Sequence, residues 1–213
     1  MAENFVIPKA FTKEWFGYVW DYYKYHIIVG IIAVVVIIFT VTEITGKIKY
    51  DANINYVSTD VIEIETSEKI AGDCAEIALD TNENDRVDIS FTQLNFTEEN
   101  TKDANLYIAL NNRLMSTFMV EDEFIYIMDE KMMNEVLSLE ATQGVFLFAS
   151  DWADGITDGE VYGASLKDST FLKKYGINTE KLYILVRINY KSDDKSLVAR
   201  HENAKKIANF ILK

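Results

Sequence analysis

The chain has 213 residues, a formal net charge of −13 and 49% hydrophobic residues, so its composition is that of a folded protein. The excess of acidic over basic residues argues against a nucleic-acid partner, because neutralising phosphates requires clustered Lys and Arg. Cys74 is the single cysteine and there are two histidines, which excludes an internal disulfide and a metal site built from Cys and His.

The amino-terminal part of the chain predicts a membrane anchor. Residues 25–42, YHIIVGIIAVVVIIFTVT, carry no charge, and as a helix they would be about 27 Å long, close to the hydrocarbon thickness of a bilayer. Residues 1–24 are rich in Trp and Tyr, which favour the headgroup level and indicate an aromatic juxtamembrane segment. An uncleaved signal anchor is favoured over a buried core helix and over a cleaved signal peptide.

The lysine distribution sets the expected orientation. Three lysines precede the uncharged run and two follow it closely, a bias that favours an amino terminus inside the cell. The sequence therefore predicts a single-pass protein of the cell membrane with its carboxyl-terminal domain outside.

Residues 43–48 are predicted as a linker, and 49–213 as one domain in which strand and helix patterns alternate. The predicted strands cover 48–56, 87–91, 124–128 and 182–188. The predicted helices cover 67–80, 102–118, 130–137 and 197–212. This alternation is typical of an α/β domain with a mostly parallel sheet. No elements are predicted between about 139 and 180.

One loop has the spacing of a calcium site. Oxygen-bearing residues occupy the first, third, fifth and ninth places of such a loop: Asp80, Asn82, Asn84 and Asp88. However, Asp85 stands where the sharp turn needs Gly, and Phe91 stands where a bidentate Glu would close the site. A solvated turn is favoured, and no metal or other cofactor is expected.

Other candidate groups have ordinary interpretations. A second acidic cluster consists of Asp151, Asp154, Asp158 and Glu160. A solvated loop is favoured there over a catalytic carboxylate pair. His201 is predicted at a helix edge and Cys74 in the core. The chain has no GxSxG, GxxxxGK[ST] or GxGxxG motif, so no enzymatic activity is predicted.

Polar residues follow two predicted strands. Ser58 and Thr59 follow the first strand, and Asp129 follows the strand at 124–128. Ligands of open α/β sheets bind beyond the carboxyl ends of strands, so these residues are the candidate ligand-binding residues for a polar or cationic solute. The favoured alternative is that they cap the helices that follow.

Several segments carry a family resemblance. DYYKYHIIVGIIAVVVI, followed by KYDANINYV, resembles small membrane-anchored proteins of Clostridia and related Firmicutes. EDEFIYIMDEKMMNEV, GVFLFASDWA and VYGASLKDS resemble extracytoplasmic solute-binding proteins of the type 2 periplasmic class, and HENAKKIANFIL is similar to the returning helix of their first lobe. The resemblance implies one α/β lobe, whereas full members of that class close two lobes on a ligand.

Together these patterns predict a non-enzymatic, membrane-anchored extracytoplasmic domain that binds a small polar solute or another envelope protein. Two alternatives stay open. One is an envelope-acting hydrolase that uses the acidic loop at 151–160. The other is a structural subunit of a membrane complex.

Overall fold

The computed structural model describes residues 10–45, 48–157, 159 and 161–213. The chain divides into two compact units, Met1–Ile48 and Lys49–Lys213. Of the predicted linker, 46–47 lie outside the described residues, as do 1–9 of the juxtamembrane segment.

The first unit is one helix, α1, which spans Lys13–Thr45. It begins well before the predicted span at 25–42, because the aromatic residues before that run continue the same helix. All of 28–42 is exposed within this unit, so α1 is apolar on every side rather than along one stripe. A helix of this length and composition is a candidate membrane span or signal sequence.

Polar groups within the apolar part of α1 are satisfied by the helix itself. The Thr40 hydroxyl donates to the Val36 carbonyl at 2.8 Å, and the Thr42 hydroxyl donates to the Ile38 carbonyl at 2.9 Å. Because of these bonds, the threonine hydroxyls do not need water as a hydrogen-bond partner. In a hydrocarbon environment, polar groups must be bonded within the protein in this way.

The second unit is an α/β domain, as predicted. Its described strands are β1 (Ala52–Ser58), β2 (Ile89–Asn95), β3 (Ile125–Asp129), β4 (Ala164–Ser165) and β5 (Leu182–Val186). Its described helices are α2 (Ile64–Ile77), α3 (Glu98–Lys102), α4 (Ala104–Met119), α5 (Glu130–Ser138), α6 (Thr170–Lys173) and α7 (Lys195–Leu212). Within the described residues, the strands form one sheet in the order β2-β1-β3-β5-β4.

Helices cover both faces of this sheet, and alternate residues of each central strand enter different cores. In β3, Ile125 and Ile127 face α2 and α7, whereas Tyr126 and Met128 face α4 and α5. All five residues of β3 are buried, which explains its unbroken apolar sequence. Cys74 is fully buried beside α7, and burial raises the pKa of its thiol to about 12, in line with its predicted core role.

The described elements of the region at 139–180 are too short to give a periodic signal. β2, β1 and β3 run parallel, whereas β5 runs antiparallel to β3. After the two-residue β4, the four-residue α6 is too short to carry the chain back across the sheet. The chain therefore enters β5 from the edge where β1 and β3 end, and the segment just before β5 lies at that edge.

The described strand bounds also correct the prediction at the start of the domain. The alternation predicted a strand that begins at position 48. However, Ile48 and Tyr50 lie before β1 and are 52% and 37% exposed. The strand begins at Ala52, whose neighbour Asp51 is fully buried and anchors a loop.

Candidate functional site: a groove at the carboxyl edge of the sheet

The carboxyl ends of β1 and β3 lie side by side, and the chain leaves them toward opposite faces of the sheet. After β1 it enters α2, whose Ile70 belongs to one core. After β3 it enters α5, whose Met132 belongs to the other. This divergence is the arrangement that opens a crevice in α/β sheets.

Asp129 holds the two strand ends together. Its Oδ2 accepts hydrogen bonds from the Thr59 amide at 2.6 Å, the Thr59 hydroxyl at 2.9 Å and the Ser58 hydroxyl at 3.2 Å. Its Oδ1 accepts from the Met132 amide at 2.8 Å, which caps α5. Four donors therefore satisfy this carboxylate, and its charge is directed into the protein.

The three predicted site residues meet, but they do not act alike. Capping is correct for Asp129. It is wrong for Ser58 and Thr59, because α2 begins only at Ile64 and its N-cap, Glu63, makes no side-chain cap bond. Ser58 is fully buried, and its hydroxyl accepts from the Asp60 amide at 3.0 Å to form a tight turn. Thr59 and Asp129 line the cleft described next.

Two adjoining concavities form one groove along this edge, and they share Asp60 and Asn178. The larger has a volume of about 360 Å³ and the smaller about 260 Å³. Around Asp60, the larger half is lined by Tyr56, Glu63, Thr66 and Tyr175. The smaller half is lined by Thr59, Asp129, Glu130, Lys131 and Lys181.

One wall of the groove is the segment before β5, and Asp73 of α2 holds it. Asp73 Oδ2 accepts from Lys174 Nζ at 2.7 Å and from the Tyr175 hydroxyl at 2.5 Å. These bonds lower the pKa of Asp73, the Lys174 bond most. Gly176 turns the wall with a φ of 73°, a left-handed conformation that glycine adopts without strain.

The lining gives the groove two chemical halves. The larger half presents the exposed carboxylates of Asp60 and Glu63, neither of which forms an ion pair within the described residues. Burial raises the pKa of the Tyr56 hydroxyl, which therefore stays protonated and can donate. Such a lining suits a ligand with a positive charge and hydroxyl groups. The smaller half carries Lys131 and Lys181.

The calcium-like loop is stabilised by its own backbone. Asp80 accepts from the amides of Asn82, Asn84 and Asp85 at 3.2, 3.3 and 2.9 Å. Asp85 takes the left-handed conformation, with a φ of 61°. The Arg86 guanidinium pairs with Asp88, and no group of acidic, His or Cys residues among those described could hold a metal.

The remaining candidates do not form a site in the described part of the chain. Asp151 and Asp154 are exposed, while Asp158 and Glu160 of the same cluster lie outside the described residues. The His201 Nε2 lies 2.9 Å from the Arg187 carbonyl, and its ring meets the Phe124 ring edge-on. Burial lowers the pKa of His201, so a neutral, structural histidine explains this position.

Most residues of the groove gave no signal in the sequence. In the sequence, Tyr56 is one of the alternating apolar residues of the first predicted strand, and nothing marks it as a site residue. Tyr175 and Asn178 lie in the segment without periodicity. Asp60 and Glu130 directly follow the residues located at the two strand ends, so the rule that found Ser58, Thr59 and Asp129 could also have found them.

Comparisons with protein-family models, with curated proteins and with solved structures gave no match to this chain. The geometry of the groove is therefore the basis for assigning a function.

Proposed function

We propose that this protein is a non-enzymatic, single-pass membrane protein whose extracytoplasmic α/β domain binds a small polar solute in the groove at the carboxyl edge of its sheet. The observation that supports this most directly is the groove itself, which opens where the chain leaves β1 and β3 toward opposite faces of the sheet. The resemblance to one lobe of a solute-binding protein is consistent with it.

The charge of the lining defines the solute class. The exposed carboxylates of Asp60 and Glu63 favour a cationic group, and the half-buried Tyr175 lines the same half of the groove. In this proposal Thr59 and Asp129 shape the smaller half, and Ser58 keeps Asp129 in position from the buried side.

Binding can be tested by thermal-shift screening of the full chain in detergent against amines, amino acids and amino sugars, since a ligand of the folded state raises its melting temperature. For any compound that binds, Asp60→Ala and Glu63→Ala should each weaken affinity at least about ten-fold. Glu68→Ala removes an exposed carboxylate of α2 that does not line the groove and should leave affinity unchanged. Unchanged affinity in both groove variants would overturn the assignment.

Topology can be tested with the same chain. Cys74 is fully buried, so a cysteine introduced by Glu68→Cys is the single accessible thiol expected in the folded domain. A membrane-impermeant maleimide should label Glu68→Cys in intact cells as strongly as in permeabilised cells, and should label the unsubstituted protein weakly in both. Labelling that requires permeabilisation would place the domain inside the cell and contradict the proposal.

A further inference from the structure

The two edges of the sheet differ in length. β4 closes one edge with two residues, Ala164 and Ser165, whereas β2 forms the other edge with the seven residues from Ile89 to Asn95. Short edge strands are one of the means by which proteins avoid pairing with other chains, and β2 lacks this protection.

The hydrogen bonds to β1 show which backbone groups of β2 point outward. The Phe96 amide donates to the Ser58 carbonyl, and the Asp88 carbonyl accepts from the Asp51 amide, each at 2.8 Å. Backbone groups alternate along a strand, so even-numbered residues face β1 and odd-numbered residues face away. Within the described residues, no hydrogen bond reaches the outward amides and carbonyls of Ile89, Phe91 and Gln93.

β2 differs from the rest of the surface in its lack of charge. The chain carries a net charge of −13, so two copies repel each other over most of their area. The strand sequence ISFTQLN has no charged residue, no proline and no glycine. The usual edge protections, an exposed lysine or a proline, are therefore missing where the backbone groups are unpaired.

We propose that β2 pairs antiparallel with β2 of a second copy of this chain, which makes the protein a dimer with a continuous sheet across its twofold axis. The register that pairs every residue of β2 places the axis at Thr92. Ile89 then lies opposite Asn95, Phe91 opposite Gln93, and Thr92 opposite its symmetry mate. The outward amides and carbonyls of Phe91 and Gln93 bond to each other across the axis, whereas the outward carbonyl of Asn95 already accepts from Asn100 Nδ2 at 2.8 Å. A Thr–Thr pair is a favourable cross-strand contact.

This register makes a specific distance prediction. Thr92 and its mate form a pair without hydrogen bonds, with Cα atoms about 4.5 Å apart, within the range of a disulfide. Ser90 lies on the same face and is similarly half-buried, but it is opposite Leu94. Its own mate is four residues further along, at about 14 Å, too far for a disulfide.

Oxidative cross-linking of the full chain in native membranes tests the pairing. Thr92→Cys should give at least about five-fold more disulfide-linked dimer than Ser90→Cys. Cys74 is buried in both variants and in the unsubstituted chain, which should give no cross-link. Equal cross-linking at the two positions would overturn the proposal.

A second measurement does not depend on disulfide chemistry. Thr92→Lys would bring two ammonium groups together at the twofold axis, while Ser90→Lys would face Leu94. By light scattering in detergent, the unsubstituted chain and Ser90→Lys should have the mass of two copies, and Thr92→Lys the mass of one. A single-copy mass for the unsubstituted chain, or a two-copy mass for Thr92→Lys with wild-type circular dichroism, would show that β2 does not form the dimer.

Discussion

A buried aspartate lies at each edge of the sheet beside β1: Asp51 directly precedes β1, and Asp129 ends the neighbouring strand β3. The first edge is closed and the second is open. At the amino end, Asp51 accepts from the Thr81 amide and hydroxyl at 2.7 and 3.0 Å, and from the amides of Asn82 and Asp88 at 3.2 and 3.0 Å. At the carboxyl end, Asp129 makes an analogous set of four bonds.

The surroundings of the two carboxylates differ. Asp51 is fully buried beneath the loop that precedes β2, whereas Asp129 is 8% exposed and lines the groove. The Asp129 carboxylate therefore borders the open groove, whereas the Asp51 carboxylate is enclosed by the loop. The same kind of hydrogen-bond set therefore closes the amino edge, whereas at the carboxyl edge it joins two strand ends beside an open groove.

Asp51→Ala should have the largest effect of the substitutions that test this comparison. It leaves the amides of Thr81 and Asp88 without an acceptor beneath the loop, and we expect a loss of about 3 kcal/mol in the free energy of unfolding. Urea unfolding of the chain in mild detergent measures this. Asp88→Ala, which removes only the exposed pair with Arg86, is the control and should cost less than about 1 kcal/mol. Equal losses in the two variants would contradict the closed-edge interpretation.

Asp129→Ala should have a smaller effect. It removes the α5 cap and the link to Thr59, but Thr59 lines the groove, where water can bond its released amide. We expect a loss of about 1–2 kcal/mol in the same assay. Asp60→Ala, an exposed neighbour in the groove, should leave stability nearly unchanged. If Asp129→Ala costs as much as Asp51→Ala, the two edges are not different in the way described.

The pH dependence of His201 should give the smallest effect. Burial lowers the pKa of His201 below its ordinary value of 6.5, so the folded protein binds this proton less strongly than the unfolded chain. Its contribution to stability is complete above pH 6.5 and is lost as the pH falls through the lowered pKa.

His201→Gln can donate to the Arg187 carbonyl but cannot titrate. Between pH 6.5 and about pH 5, it should therefore lose less stability than the unsubstituted chain in urea unfolding. Burial raises the pKa of Glu123 and so acts in the opposite direction, which is why the variant is compared at each pH. Parallel pH profiles for the two chains would show that His201 titrates normally in the folded state.

Periodic elements could be predicted from the sequence, and irregular ones could not. β3 and its exit at Asp129 were predictable, because a continuous apolar run ended by an acid is typical of a doubly covered strand. The meeting of Asp129 with Ser58 and Thr59 followed from the parallel arrangement of β1 and β3. The bonds from Asp51 to the loop before β2 could not be predicted, because Asp51 occupies a position of the alternation where any polar residue fits.

The wall of the groove was unpredictable for a different reason. β4 has two residues and α6 has four, and neither is long enough to show a period. The antiparallel direction of β5, which brings Tyr175 to the groove, depends on how short these elements are. The hydrogen bonds of Asp73 to Lys174 and Tyr175 join residues about a hundred positions apart, and no local sequence pattern predicts such a contact.

The length of α1 exceeds what a bilayer requires. Its 33 residues measure about 50 Å, whereas the hydrocarbon layer is about 30 Å thick. If the uncharged run occupies that layer, about 20 Å of continuous helix remains, most of it the aromatic turns at 13–24. These helical turns would extend through the headgroup region, and the centroids of the Tyr18 and Tyr22 rings lie 5.2 Å apart on one side of them. The anchor would then resist sliding along the membrane normal, because any shift would move these rings out of the interface.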